Sequence, residues 1–182
     1  MNSDLLAAGV SGVCHVGAEL LARPTDLATP PAVGWNDCGW ISDAGLTENV
    51  TEKVDSFIPW GSGVPARKII TSSEEDFDIT FWETNEYTLA LYNRKAVGSL
   101  TATSGVFEVD TGPIVTTRFA ALFDIVDGFN HVQLWLPSAE VTGRKALVYA
   151  PGKLIGYPTT ITAYPDSTGM AVYKRIKVGA TS

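Results

Sequence analysis

Between Glu74 and Trp82 the chain alternates, placing Phe77, Ile79 and Phe81 on one side of an extended backbone and Glu74, Asp76, Asp78 and Thr80 on the other. Successive side chains of a strand point in opposite directions, so this period of two predicts a strand with one buried and one wetted face. The same punctuation continues along the chain. The 17 Gly and 10 Pro separate short runs rich in Val, Ile, Thr, Phe, Tyr and Trp, the pattern of a mainly β domain. Further strands are predicted at Cys14–Leu20, Gly39–Ser42, Arg67–Ser72, Val106–Asp110, Arg118–Val126, His131–Leu136, Glu140–Tyr149, Thr159–Tyr164 and Ala171–Val178. Arg118–Val126 is apolar on both faces apart from Asp124, which predicts a central or covered strand, and Asp127-Gly128 after it is a hairpin signal.

One short helix interrupts this pattern. Thr84 is its expected cap, Glu86 suits the positive end of the helix dipole, and Tyr87, Ala90 and Leu91 form an apolar stripe ending near Asn93. So short a helix is marginal alone, so it must pack on the sheet or at a subunit seam, with Tyr87 and Leu91 as its contacts. Two segments read as irregular: the Pro-rich loop 23–33, and Asn49–Pro65, which holds Pro59, Gly61, Gly63 and Pro65 around Phe57 and Trp60. Structureless loops beyond about 12–15 residues are uncommon unless they bind something, so 49–65 is expected to be an arm that docks on another subunit.

At 182 residues the chain suits one domain, 1–182, with a single core. Its 13 Lys+Arg against 20 Asp+Glu give a net charge of −7, which opposes binding to nucleic-acid phosphates. The longest stretch without charge, Leu5–Ala18, is too short to span a membrane, and Asp4 with no cation before Arg23 is the reverse of a secretory signal. Cys14 and Cys38 can pair or stay free, with buried free thiols the expected state; their spacing does not suit a structural zinc site.

Catalytic chemistry has little to build on. There are only two histidines, His15 and His131, and although His15 follows Cys14, neighbours on a strand face opposite ways and cannot form a thiolate–imidazolium couple without a bulge. Glu74, Glu75, Asp76 and Asp78 lack the glycine-bearing loop of a calcium site and make a row rather than a cage. Like charges in line repel, which points either to neighbouring cations or to a use for the negative field. Gly61-Ser62-Gly63 lacks the residues of a phosphate loop and reads as a turn. No cofactor or metal is expected. Of the tryptophans at 35, 40, 60, 82 and 135, most are expected to pack in the core, and Trp60 is the interface candidate.

A set of blocks adds a resemblance. Gly39-Trp40-Ile41-Ser42-Asp43-Ala44-Gly45-Leu46-Thr47-Glu48 is followed by Phe77-Asp78-Ile79-Thr80-Phe81-Trp82-Glu83-Thr84-Asn85, by Phe123-Asp124-Ile125-Val126-Asp127-Gly128, by Trp135-Leu136-Pro137, and by Gly156-Tyr157-Pro158-Thr159-Thr160-Ile161-Thr162-Ala163-Tyr164-Pro165-Asp166. In order and spacing these resemble the major tail protein family of long, non-contractile-tailed bacteriophages, as found in phages of actinobacteria.

The resemblance implies a tail-tube-type β-sandwich or partial barrel with one flanking helix and a long extended loop. Six copies would close into a ring with a β-barrel lumen, and rings would stack into the conduit for DNA ejection. It also implies a virion component assembled in the host cytoplasm, with a tape-measure protein, a tail-tip or distal tail protein and a tail terminator as partners, and DNA passing without specific binding. In that frame Glu74, Asp76 and Asp78 are the expected lumen residues, because acid repels phosphate. Phe57, Pro59 and Trp60, with the N-terminal segment, are the expected inter-subunit contacts. A tail terminator or hub ring, and a monomeric β-sandwich binding module with tryptophans as its platform, are the alternatives that the residues leave open.

Overall fold

The structure, a computed structural model, describes residues 9–27, 31, 33–113 and 115–179. The first eight residues and 28–30 and 32 of the Pro-rich loop, on which some of the expectations above fall, lie outside the described residues. The elements are β1 (Ser11–Ala18), β2 (Asn36–Asp37), β3 (Ile41–Phe57), β4 (Arg67–Phe81), α1 (Glu86–Tyr92), β5 (Arg118–Asp127), β6 (Asn130–Arg144), β7 (Tyr157–Tyr164) and β8 (Tyr173–Lys177). All pairings are antiparallel, in the order β2-β1-β5-β6-β7-β4-β3, with β8 beside β6.

The sheet curls over on itself. Phe77 of β4 and Phe123 of β5 stack although β6 and β7 lie between their strands, so the inner face closes as a sandwich. One continuous core joins Cys14 and Val16, Phe77, Ile79 and Phe81, Phe119, Ala121 and Phe123, Leu134 and Leu136, and Ile161 and Ala163. β5 is buried from Phe119 to Phe123 on both faces, as its composition predicts, and Gly128 (φ 58°) begins the two-residue turn into β6.

Several expected boundaries move, each for a physical reason. The predicted strands on either side of Pro137 are one strand, β6. Proline has no N–H to give the ladder, and the β5–β6 register shifts there, between the Ala121–Leu136 and Phe119–Ala139 pairs. β6 ends at Arg144 rather than continuing to Tyr149. Arg67–Ser72 and Glu74–Trp82 likewise merge into β4, with a register shift near Thr71, whose hydroxyl donates to the Lys53 carbonyl at 3.2 Å. Val106–Asp110 is not a strand. Its only ladder contact is a bridge between Thr103 and Val106 across Ser104 and Gly105, which carries no neighbouring strand.

The cap of α1 is Asn85, not Thr84. Its side chain accepts from the Tyr87 and Thr88 amides, and the Thr88 hydroxyl accepts from the Asn85 amide, which completes a capping box. Thr84 instead shares a 3.0 Å hydrogen bond with the Tyr157 hydroxyl. Thr88, Ala90 and Leu91 are the buried residues of the helix, which packs on β7 and β6 of its own chain.

None of the five tryptophans lies in the core, contrary to expectation. Trp35 and Trp135 are half-buried and use their indole N–H groups on the carbonyls of Ala22 and Leu21, each at 3.1 Å, so they pin the segment after β1.

Candidate functional site

The segment 49–65 is not an irregular loop. β3 runs on to Phe57 and pairs with β4 as far as Phe57–Arg67, which makes the expected arm a β-hairpin. Its alternating Val, Thr and Ile residues can form a ladder, in which each strand pairs with the other along one edge and leaves its outer edge to water. Beyond Phe77 almost every residue is exposed, and the β4 residues from Arg67 to Glu75 carry the hairpin roughly 30 Å past the core at about 3.3 Å each. At the end, the Ala66 amide donates to Phe57 O at 2.9 Å and the Ser62 amide to Pro59 O at 3.0 Å.

Phe57, Pro59 and Trp60 are therefore brought together at the tip. Trp60 is fully exposed, and Ile58 and Val64 beside it are exposed as well. Further along, Val54 and Ile70 pair across the hairpin and Val50 follows on the same side, again without cover. Apolar side chains held this far from the core gain little from folding, and an exposed apolar patch of this kind is characteristic of an interaction surface.

Glu74, Asp76 and Asp78 share the outer face of β4, as the alternation predicts. They are not equivalent. Asp76 and Asp78 are half-buried and accept from the Thr162 and Thr160 hydroxyls of β7 at 2.5 and 2.6 Å, with Asn49 Nδ2 of β3 adding 3.1 Å to Asp78, whereas Glu74 is exposed. Hydroxyl and amide donors, rather than cations, thus answer the repulsion within the row. The face extends through the 2.7 Å contact between Thr142 and Thr162 to Arg118, whose guanidinium lies 4.2 Å from the Tyr164 ring centre. Burial raises the Tyr164 hydroxyl above its ordinary pKa, and the Glu140 and Asp76 charges add to the effect. Glu75 points the other way, beside Val50, with one carboxylate oxygen buried and without a hydrogen-bond partner.

The helix residues divide. Leu91 is in the core, whereas Tyr87 is half-exposed, its hydroxyl pKa raised chiefly by a hydrogen bond to Glu86. Cys14 and Cys38 are both free and buried, and burial followed by their mutual contact pushes the Cys14 thiol well above its usual pKa. His15 faces away from Cys14 and is held below its ordinary value by burial, which outweighs the opposing pull of Asp37 and Asp124. Sequence reasoning missed the network in which His131 Nε2 and Gln133 Nε2 contact Asp124 Oδ1 at 2.8 and 2.9 Å. It follows from register, which places all three on one face. Among the described residues no group of His, Cys, Asp and Glu is arranged to hold a metal ion.

A curled antiparallel sheet, a polar face bearing a carboxylate row and a long uncovered hairpin form the frame for comparison with known families. Residues 1–177 match the family described as phage tail tube protein. The chain belongs to that family. No curated protein matches it. As a tail tube protein it is a structural component of the virion tail, built by self-assembly. Among the described residues no helix is long and apolar enough to cross a membrane.

Proposed function

We propose that this tail tube protein forms hexameric rings that stack into the tail tube, the conduit for DNA ejection, with residues 1–182 acting as one domain. The observation that carries the reading is the β3–β4 hairpin, which leaves the core and holds Phe57, Ile58, Trp60 and Val64 in solvent. Joining sheets between subunits would also remove the open edge along β3, which in a lone subunit is a template for unwanted pairing.

Glu74, Asp76 and Asp78 are assigned to the lumen. Their negative field repels phosphate, and the threonine partners of Asp76 and Asp78 hold those carboxylates in place without cations that would grip DNA. Screening limits each charge to about 8–10 Å in salt, so only lumen-facing charges act on the DNA. Phe57, Pro59 and Trp60, with the N-terminal segment, form contacts between rings, and Tyr87 lies at a seam between neighbours. Assembly in the host cytoplasm would involve a tape-measure protein, a tail-tip protein that primes the tube and a terminator that ends it.

Electron microscopy of the purified protein over a concentration series tests the reading. Striated hollow tubes are expected; dispersed particles only, even with an authentic tail tip as primer, would overturn it. Deleting Phe57–Gly61 is expected to leave a folded protein without tubes. Replacing Glu74, Asp76 and Asp78 with Lys is expected to slow DNA ejection, and unchanged ejection would remove these residues from the lumen.

A further inference from the structure

The end of the hairpin opposite its tip carries a second uncovered apolar patch. One rung past the Ile41–Phe81 pair, the Trp82 amide donates to Trp40 O at 2.8 Å, so the two tryptophans are cross-strand neighbours. Trp40 is 78% exposed and Trp82 36%, and Ile155 and Leu154 are exposed nearby in sequence to Gly156. The patch is held in shape. Gly39 (φ 76°) turns tightly against Glu83, whose Oε2 accepts from the Trp40 amide at 3.2 Å and whose carboxylate fills the space a Cβ at Gly39 would need. Gly156 leaves its side open to Thr80 and the Trp82 ring.

Charge divides along the same axis. The chain has no Lys or Arg from Pro24 to Glu52 or from Ile69 to Asn93, so the cations of the hairpin, Lys53, Arg67 and Lys68, all lie toward the tip. The base is flanked by Asp37, Asp43, Glu83 and Glu86, with Lys153 two residues before Ile155. The tip itself, from Ser56 to Ala66, carries no charge. Around the apolar tip Lys53, Arg67 and Lys68 outnumber Glu52 and Asp55, and around the apolar base Asp37, Asp43, Glu83 and Glu86 outnumber Lys145 and Lys153, so one end leans basic and the other acidic.

From this polarity we infer that the tip of one copy, led by Trp60 and Phe57, docks on the Trp40–Trp82–Ile155 patch of a second copy, with Lys53, Arg67 and Lys68 facing Asp37, Asp43 and Glu83. The inference rests on the tube reading and names its receptor surface. The two patches stand at opposite ends of the β3–β4 ladder, roughly 50 Å apart at about 3.3 Å per residue along the 15 residues of β4, so the tip cannot reach its own base. The contact joins different patches, so each docking leaves one tip and one base free, and the series stays open as a stack of rings requires. Tryptophans at both ends supply the large, rigid apolar area that dominates such contacts, and the charges set orientation.

Two folded variants test this. Trp60→Ala removes the tip anchor, and Trp40→Ala with Trp82→Ala removes the receptor; circular dichroism and urea midpoint confirm that each still folds. Each alone is expected to raise the critical concentration for tubes about thirtyfold, the effect of losing an interface anchor. Mixed, the receptor of the first accepts the tip of the second, and sedimentation is expected to show stacks ending after one contact. Normal tubes from Trp40→Ala/Trp82→Ala, or no association in the mixture, would overturn the inference. If the unaltered protein forms no tubes, the tube reading itself fails, and the two failures are thereby distinguished.

Discussion

Phe77 stacks on Phe123 with ring centres 5.6 Å apart and planes 25° apart, although the two residues sit on strands separated in the sheet by β6 and β7. The contact closes the inner face and turns a curled sheet into a sandwich. Phe77→Ala or Phe123→Ala is expected to cost about 3–5 kcal/mol, because each ring is fully buried and leaves a cavity. The double variant should fall short of the sum by about 0.5–1.5 kcal/mol, the coupling of an aromatic pair, as measured by urea denaturation.

The helix cap gives a sharper contrast between neighbouring residues. Asn85→Ala is expected to cost about 1 kcal/mol, because the Tyr87 and Thr88 amides lose their acceptor, whereas Thr84→Ala removes a single hydroxyl contact to Tyr157 and costs less. Thermal melts of the two variants under one condition check the order.

Stability should depend on pH through His15. Burial lowers its pKa in the folded chain below the ordinary value of 6.5, so the unfolded chain binds the proton more readily. The stabilising contribution is present above that ordinary value and is lost as pH falls through it toward the lower folded value. His15→Gln is expected to flatten this part of the profile, measured as the urea midpoint from pH 8 to pH 5.

The threonine partners of the acidic row are open to a direct test. Thr162→Val keeps the side-chain shape but takes the hydroxyl from Asp76, and is expected to cost about 1 kcal/mol, discounted from the value of a fully buried charged hydrogen bond because Asp76 is half-exposed. Adding Asp76→Asn should recover part of the loss, since the remaining group is uncharged. Denaturant titration of both variants decides it.

Much of the architecture was legible in short-range pattern. The alternation at Glu74–Trp82 placed Phe77, Ile79 and Phe81 inward and the acidic row outward, and the two-sided apolar run at 118–126 marked a central strand. The helix was legible too, though its cap was misplaced by one residue, because Thr and Asn are both good caps and the choice rests on which side chain reaches the Thr88 amide. The boundaries at Pro137 and Asn49 were misread for a shared reason. A register shift admits a proline, and pairing with a partner strand orders a segment rich in Pro and Gly near its end, and both depend on the strand alongside.

The sequence by itself determined which residues face in and which face out along its clearly alternating strand, that the chain is mainly β, and that its charge is negative, because these follow from side-chain chemistry and the two-residue period of a strand. Only the tertiary structure decided what lies beside what. It brought Thr160 and Thr162 to the carboxylates, closed Phe77 onto Phe123, and set Trp40 beside Trp82 at one end of a ladder with Trp60 at the other. Such neighbours are far apart in the chain, and strand order and register, which no local period encodes, bring them together.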